Sequence, residues 1–381
     1  MYHAHFKDAG KDTGAFGTFV VTNCMSGYTT ADFLQKEGAQ TKTLVRFSTV
    51  IRGHGFTDTV RNMRGFATKF YTNQGIYDIL GSSLPVFPTR DAIKFSDLIH
   101  SLNPAPNSAI ADEEHFWDFA SLSPETTHMI TWLYSDKGTV KDYRHMDFFG
   151  PNAHVWVNKD KACHYVKYHW KTMQGIKTLD RHEAQRLHET DPDAAARLLY
   201  EAIEYGDFPK YELKVQLITI EQANALRFDP LDDTKIWPED EFPLMNVGIM
   251  TLNKNPENFF PQIETAAFSL WNVVPGIAVS VDKMFQYRTF PYSDAHRHNF
   301  GPILSQSPVN RMDDFTQAGE RYRSLSEEER DHLHDNIAAE LFKYNEDVKW
   351  KVLSHFERAD PHFADGTRRD LELYKRGIKH P

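Results

Sequence analysis

Arg288-Thr-Phe-Pro-Tyr292-Ser-Asp-Ala-His296-Arg297-His298-Asn-Phe-Gly301 gathers a phenol, two guanidinium groups and two imidazoles within eleven residues. A phenol can bind ferric iron as phenolate when a nearby cation lowers its pKa. Arg288 stands four residues before Tyr292, which is one turn away on the same face if the segment is helical. The plain reading of the same residues is the start of an interfacial helix with surface charges. The segment alone does not separate the two readings.

The chain leading to this segment is mostly strand-like. Alternation begins at Gly14-Ala-Phe-Gly-Thr-Phe-Val-Val, and β-branched and aromatic runs follow at Thr43–Val50, Gly65–Tyr71, Ala153–Val157, His164–Trp170, Tyr211–Ile220 and Val247–Leu252. Gly, Asn and Asp punctuate them, a pattern of short strands that suits an antiparallel barrel or sandwich. Helical spacing is predicted for Ser123–Leu133 and for Arg181–Glu204, where Leu187, Ala194, Ala195, Leu198 and Ala202 recur. Phe260–Pro291 reads as a long, largely irregular connection. Further on, Ser326-Glu-Glu-Glu329 is a capping box opening an amphipathic helix through Leu333, Ile337 and Leu341.

Composition narrows the function classes. The 381 residues can bury a sizeable core, and a net charge of −10 invites neither nucleic acid nor an anionic membrane. No apolar run reaches membrane-spanning length, and the first residues carry His and Lys rather than a signal-peptide core. Cys24 and Cys163 have no metal-like spacing and fit a reducing compartment, so a cytoplasmic location is expected. The terminal Lys-His-Pro381 is no recognisable peroxisomal address, although the peroxisome is not thereby excluded.

Arg288-x-Phe-x-Tyr292-x-Asp294-Ala-His296-Arg297 resembles the proximal haem signature of the monofunctional haem catalases, with Tyr292 at the axial ligand's position. Gly14-Ala-Phe-Gly-Thr-Phe, Arg46-Phe-Ser48-Thr-Val, Arg64-Gly-Phe-Ala-Thr-Lys-Phe-Tyr71, Arg90-Asp-Ala-Ile-Lys-Phe95, Tyr143-Arg-His-Met146, Gln174-Gly-Ile-Lys177 and Asn272-Val-Val-Pro-Gly276 resemble further segments of that family. They stand in the family's order from about Gly14 to about Asn310. The resemblance implies an α+β fold: a catalase-like antiparallel β-barrel with a wrapping connection and C-terminal helices. It divides the chain into an N-terminal arm (1–13), a barrel domain with helical insertions (14–255), a wrapping connection with the proximal haem helix (256–310) and a C-terminal helical segment (311–381).

By the same resemblance the cofactor is haem iron, with Tyr292 as the metal ligand, and the substrate is a small-molecule peroxide. Arg288 keeps the phenolate ionised, and His296 belongs to the same haem-contacting signature. Arg46 matches an arginine that pairs with a haem propionate. Ser48 matches a serine behind the distal base, and Phe87 and Phe95 match aromatics that flank the haem. The expected activity is disproportionation of hydrogen peroxide, which needs a distal base to move a proton between the peroxide oxygens.

Departures from the family pattern fall in the pocket. The nearest likeness to the distal His-Ala pair is His3-Ala4, but the connection to Gly14 is longer than the family's, and counting back without a gap reaches Ala9. The base is therefore His3, or His5 looped back, or absent. Ser82 replaces the distal asparagine, Pro88 a second aromatic, and Asn299 an arginine that contacts propionate. Ser82 can still donate a hydrogen bond to peroxide, though with a shorter reach. Asn152 replaces the histidine of the nicotinamide site found in some members, so that site is not expected. The segments that interlock subunits in the family are reduced, so a homo-oligomer is compatible with the resemblance but its tetramer is not carried over. A haem peroxidase or organic hydroperoxide-converting enzyme, and a non-catalytic interaction protein of the same fold, are the alternatives.

Overall fold

The computed structural model describes residues 12–49, 57–102, 114–288 and 313–379. They form two compact units, the first comprising the described residues within 1–85, 140–232 and 237–306, the second those within 86–139, 233–236 and 307–381.

The first unit is a closed antiparallel barrel. Its strands are β1 (Asp12–Val21), β2 (Gln40–Thr49), β3 (Arg64–Thr72), β4 (Gly75–Ser82), β5 (Phe148–Val157), β6 (Cys163–Thr172), β7 (Lys210–Thr219) and β8 (Met245–Lys254). They run in the order β4-β3-β2-β1-β8-β7-β6-β5, and β4 meets β5 to close the ring. Closure rests on the pairing of Ser82 with Phe149. Gly81 makes the approach feasible, because a Cβ there would stand 2.2 Å from Phe149 O.

Period-two alternation decides which side chains fill this barrel. On β2, Val45 and Phe47 point inward, and Leu44, Arg46 and Ser48 occupy the outer face. The interior is aromatic: Phe47, Phe66, Phe70, Phe148, Trp170 and Tyr211 are all at most 2% exposed, and Phe66 stacks on Phe148 at 4.0 Å. Bulges interrupt the ladder, one of them in β5 between Gly150 and His154.

A connection then passes over the outer wall. It holds a π-helical turn at Phe260–Glu264 and a short strand β9 (Ile277–Val279) that pairs with β5. Ile263, Phe268, Leu270 and Phe285 bury themselves against Leu44 and Leu80 of the wall. Helix follows from residue 283 to 288, the last described residue of this stretch. The irregular character predicted for Phe260–Pro291 therefore holds for much of its described part, with these three short elements inside it.

Two helices were expected as one. Arg181–Glu204 is broken into α4 (Arg181–Thr190) and α5 (Ala194–Glu204). Pro192, between Asp191 and Asp193, disfavours helical geometry in the residue before it and lacks the N–H to continue. Thr219 then caps a short helix α6 (Ile220–Ala225), so β7 stops one residue before the predicted end.

The second unit is helical: α1 (Ala92–Ser101), α2 (Glu114–Leu122), α3 (Thr126–Leu133), α7 (Thr316–Ser324), α8 (Glu327–Leu341), α9 (Glu346–Ala359) and α10 (Pro361–Lys375). The predicted capping box is formed, with Ser326 and Glu329 bonding each other's backbone N–H, and Leu333, Ile337 and Leu341 are fully buried. Asp360 joins α9 to α10, accepting from His362 N at 2.9 Å and from Arg323 Nη1 at 2.9 Å.

Candidate active site

One rung of the barrel carries two of the predicted site residues, Ser48 and Ser82. Asp12 pairs with Ser48, Ser48 with Gly65, Gly65 with Ser82, and Ser82 with Phe149. Ser48 and Ser82 thus face outward on alternate strands, roughly 10 Å apart at two strand spacings. Gly65 lies between them, and a Cβ on it would come within 2.3 Å of Ser48 Oγ. The missing side chain gives the serine hydroxyl its place.

Arg46 stands two residues along, over Ala67 on β3. Its Nη1 donates to Ala266 O at 3.1 Å, its guanidinium lies 4.9 Å above the Phe268 ring, and Asp12 is 4.0 Å from Nε. The group is part-exposed, with a quarter of its side chain open. A guanidinium has five N–H donors, so this one retains capacity for an anion.

Ser82 is buried, and its hydroxyl donates to Leu84 O at 2.8 Å while accepting from Leu84 N at 3.3 Å. The single proton expected to hold peroxide is directed into the turn that follows β4. Neighbouring Ser83 accepts from Arg64 N at 3.0 Å. Arg64 is itself fully buried and donates to the carbonyls of Asp58, Val60 and Asn62, which makes it a brace for the loop before β3.

Arg288 is the last described residue of the helix that starts at residue 283. Asp282 caps that helix by accepting from Met284 N at 2.8 Å, and its own N–H donates to Ser280 Oγ at 3.3 Å. Burial pushes the Asp282 carboxyl up, against the hydrogen bond from Asn152 and those from the helix backbone. Asn152, in the β5 bulge, bonds both Asp282 and Arg288.

Phe87 and Phe95 belong to the second unit, where their rings lie 5.4 Å apart. Phe87 N donates to Asp233 O at 2.8 Å, and Asp91 caps the helix that carries Phe95. His3, Tyr292 and His296 lie outside the described residues. Among the described residues, no group of three or more His, Cys, Asp or Glu is placed to hold a metal ion, and no helix is long and apolar enough to cross a membrane.

Two groups escaped the sequence reading. Asp282 could have been found, since Ser280-Val-Asp282 before an apolar-patterned run is an N-cap signal. His154 could not. It is buried, both ring nitrogens lack a partner, its ring lies 4.8 Å from that of Phe285, and burial holds its pKa down to about 3.

Arg46 supplies a part-exposed cation beside part-buried Ala67 on the outer face, which suits a group with acidic side chains, whereas Leu44, Leu80 and Phe285 there are already covered by the connection. A closed eight-stranded antiparallel barrel with such an outer wall, a connection laid across it and a helical unit define the catalase class. The chain matches the catalase family model over residues 8–339, and a second model, catalase-related immune-responsive, over 308–371. It is 39% identical to a catalase of Helicobacter pylori, over 97% of this chain and 86% of that one. Identity is also 39% with a bromoperoxidase-catalase of Streptomyces venezuelae, over 93% and 86%. Catalase A from Saccharomyces cerevisiae superposes with a TM-score of 0.90 at 32% identity, covering 96% of this chain and 89% of that structure. The chain belongs to the catalase family.

Proposed function

We propose that this catalase-family oxidoreductase disproportionates hydrogen peroxide at a haem held against the outer face of β2–β4, between that wall and the helix bearing Arg288. The observation that carries the placement is the part-exposed Arg46 beside Ala67 on the outer face, with Ser48 and Ser82 on the adjoining rung. When bound, ferric haem supplies the iron that accepts oxidising equivalents from one peroxide and returns them to a second, giving water and dioxygen.

The chain's residues do the rest. Tyr292 presents the phenolate, and Arg288, four residues before it in the sequence, favours the ionised form. Arg46 pairs with a propionate through its remaining donors. His296, Phe87 and Phe95 complete the haem contacts in this reading. His3 acts as the base that carries a proton between the peroxide oxygens, with Ser48 orienting its imidazole. The family match begins at residue 8, after both His3 and His5, so this base is the role most in need of a test. Ser82 must turn from Leu84 O before it can donate to peroxide. Two exposed free cysteines support a reducing compartment, and the cytoplasm is the location we propose.

The test is oxygen release from hydrogen peroxide by the haem-loaded protein beside its His3→Ala variant. Fast release lost in the variant supports the whole assignment. Fast release in both removes His3 from it, and no release from either overturns the activity.

A further inference from the structure

Phe268 has two cations against its ring. The Lys69 ammonium lies 4.7 Å from the ring centroid and the Arg46 guanidinium 4.9 Å. Each cation has a carboxylate, and the two pairings differ. Asp78 accepts a hydrogen bond from Lys69 at 2.8 Å, with both groups almost wholly buried. Asp12 stands 4.0 Å from Arg46 Nε, beyond hydrogen-bond length, and 20% of its side chain is exposed. Among the described residues Arg46 has one hydrogen-bond acceptor, Ala266 O at 3.1 Å. The strand register sets this looser pair. Asp12 lies opposite Ser48, so it shares the outer face with Arg46, two residues along β2.

We propose that Asp12 is a placeholder for an incoming carboxylate at Arg46: it balances the guanidinium in the haem-free chain and gives way to a propionate as haem enters. This deepens the function proposed above and rests on its assignment of Arg46. A guanidinium offers five donors in one plane and bonds a carboxylate in bidentate fashion, a stronger contact than a charge held 4.0 Å away. A propionate that takes those donors then lies near a second negative charge, so Asp12 also limits how firmly haem is held. Asp78 cannot serve in this way, because its oxygens are fixed by Lys69, Ser269 N and Asn272 Nδ2.

The test follows transfer from the loaded protein to excess apomyoglobin with two probes. One is ferric protohaem, and the other is its dimethyl ester, in which both propionates are uncharged. Asp12→Asn keeps the volume and removes the charge, and Asp12→Ser carries the comparison if that variant does not fold. Either is expected to slow the loss of protohaem about fivefold, the scale of one part-exposed ion pair, and to leave the loss of the dimethyl ester unchanged. The difference should shrink in high salt, which screens part-exposed charges, and vanish in an Arg46→Gln background.

Unchanged or faster loss of protohaem, an equal gain with both probes, or a gain that persists without Arg46 overturns the placeholder role. If Arg46→Gln alone loses protohaem no faster than the unaltered protein, Arg46 is not the partner of a propionate, and the inference falls with that assignment. The single arginine variant thus tells the two failures apart.

Discussion

Lys69 Nζ lies 2.8 Å from Asp78 Oδ1, and the pair is almost wholly buried on the outer face of the barrel. Asp78 also accepts from Ser269 N at 2.9 Å and Asn272 Nδ2 at 2.7 Å, and the Lys69 ammonium sits 4.7 Å above the Phe268 ring. Burial pushes the Asp78 carboxyl up, and Lys69 opposes that push. The ion pair is therefore where the connection over the wall is fastened to β3 and β4.

Removing one partner of a buried pair leaves the other charged and uncompensated, which costs about 3–5 kcal/mol. Asp78→Ala is expected to lose that much stability in urea denaturation of the haem-free protein. It should also release haem faster, because Phe268 and Leu270 are held by the same bonds. A loss below about 1 kcal/mol, the range of an exposed pair, would show that the connection is held elsewhere.

Tyr292→Phe removes the only oxygen of the proposed axial ligand. Haem binding or peroxide turnover is expected to disappear, along with the tyrosinate charge-transfer bands. A variant that keeps both, measured by absorbance titration with haem and by oxygen evolution, would disprove the proximal assignment.

Ser82→Asn is expected to raise the rate of oxygen release. The serine's one proton is directed to Leu84 O, whereas a carboxamide carries two N–H donors and a longer reach. Removing one such donor from a site typically costs on the order of 10²-fold, which bounds the gain. An unchanged or lower rate at matched haem content would mean that turnover is not limited at this position.

Acid should expose the buried histidines. Burial pushes His154 and His169 down to about 3 from 6.5, so both are neutral in the folded chain. Between those values the unfolded chain binds protons that the folded one excludes, so stability is complete above pH 6.5 and falls as pH drops toward 3. Each histidine contributes about 1.4 kcal/mol per pH unit within that window. His154→Phe is expected to remove close to one proton's worth of this slope, read from urea midpoints between pH 6 and pH 4.5. An identical slope would show that His154 takes up its proton without unfolding.

The barrel was legible because its strands alternate strongly. Val45 and Phe47 on β2, and Val166, Tyr168 and Trp170 on β6, recur at period two among polar neighbours, and the structure buries them together. Gly75–Ser82 was not singled out as a strand, since Asp78 and the glycines weaken its pattern and its burial comes from the connection above it. Pro192 was visible, but the apolar spacing on either side of it was stronger than the break. Arg46 and Ser48 fall on one outer face as their spacing predicts. The role of Ser82 was harder to read, because the bond to Leu84 depends on the turn after β4, and that of Asn152 harder still. A bulge places its side chain, and its two partners lie about 130 residues away in sequence, beyond the reach of local pattern rules.

The rung that runs Asp12, Ser48, Gly65, Ser82, Phe149 is also the seam at which the barrel shuts. Bringing Ser82 to Phe149 closes a loop of roughly 65 residues, whereas β1 reaches β8 across more than 220, so the barrel needs two non-local closures of which this is the shorter. Ser82 thus reaches its final neighbours only when the β4 edge is covered by β5. A chain arrested one step short would own every strand of the barrel and still lack its pocket, so peroxide turnover during refolding would report seam formation rather than secondary structure.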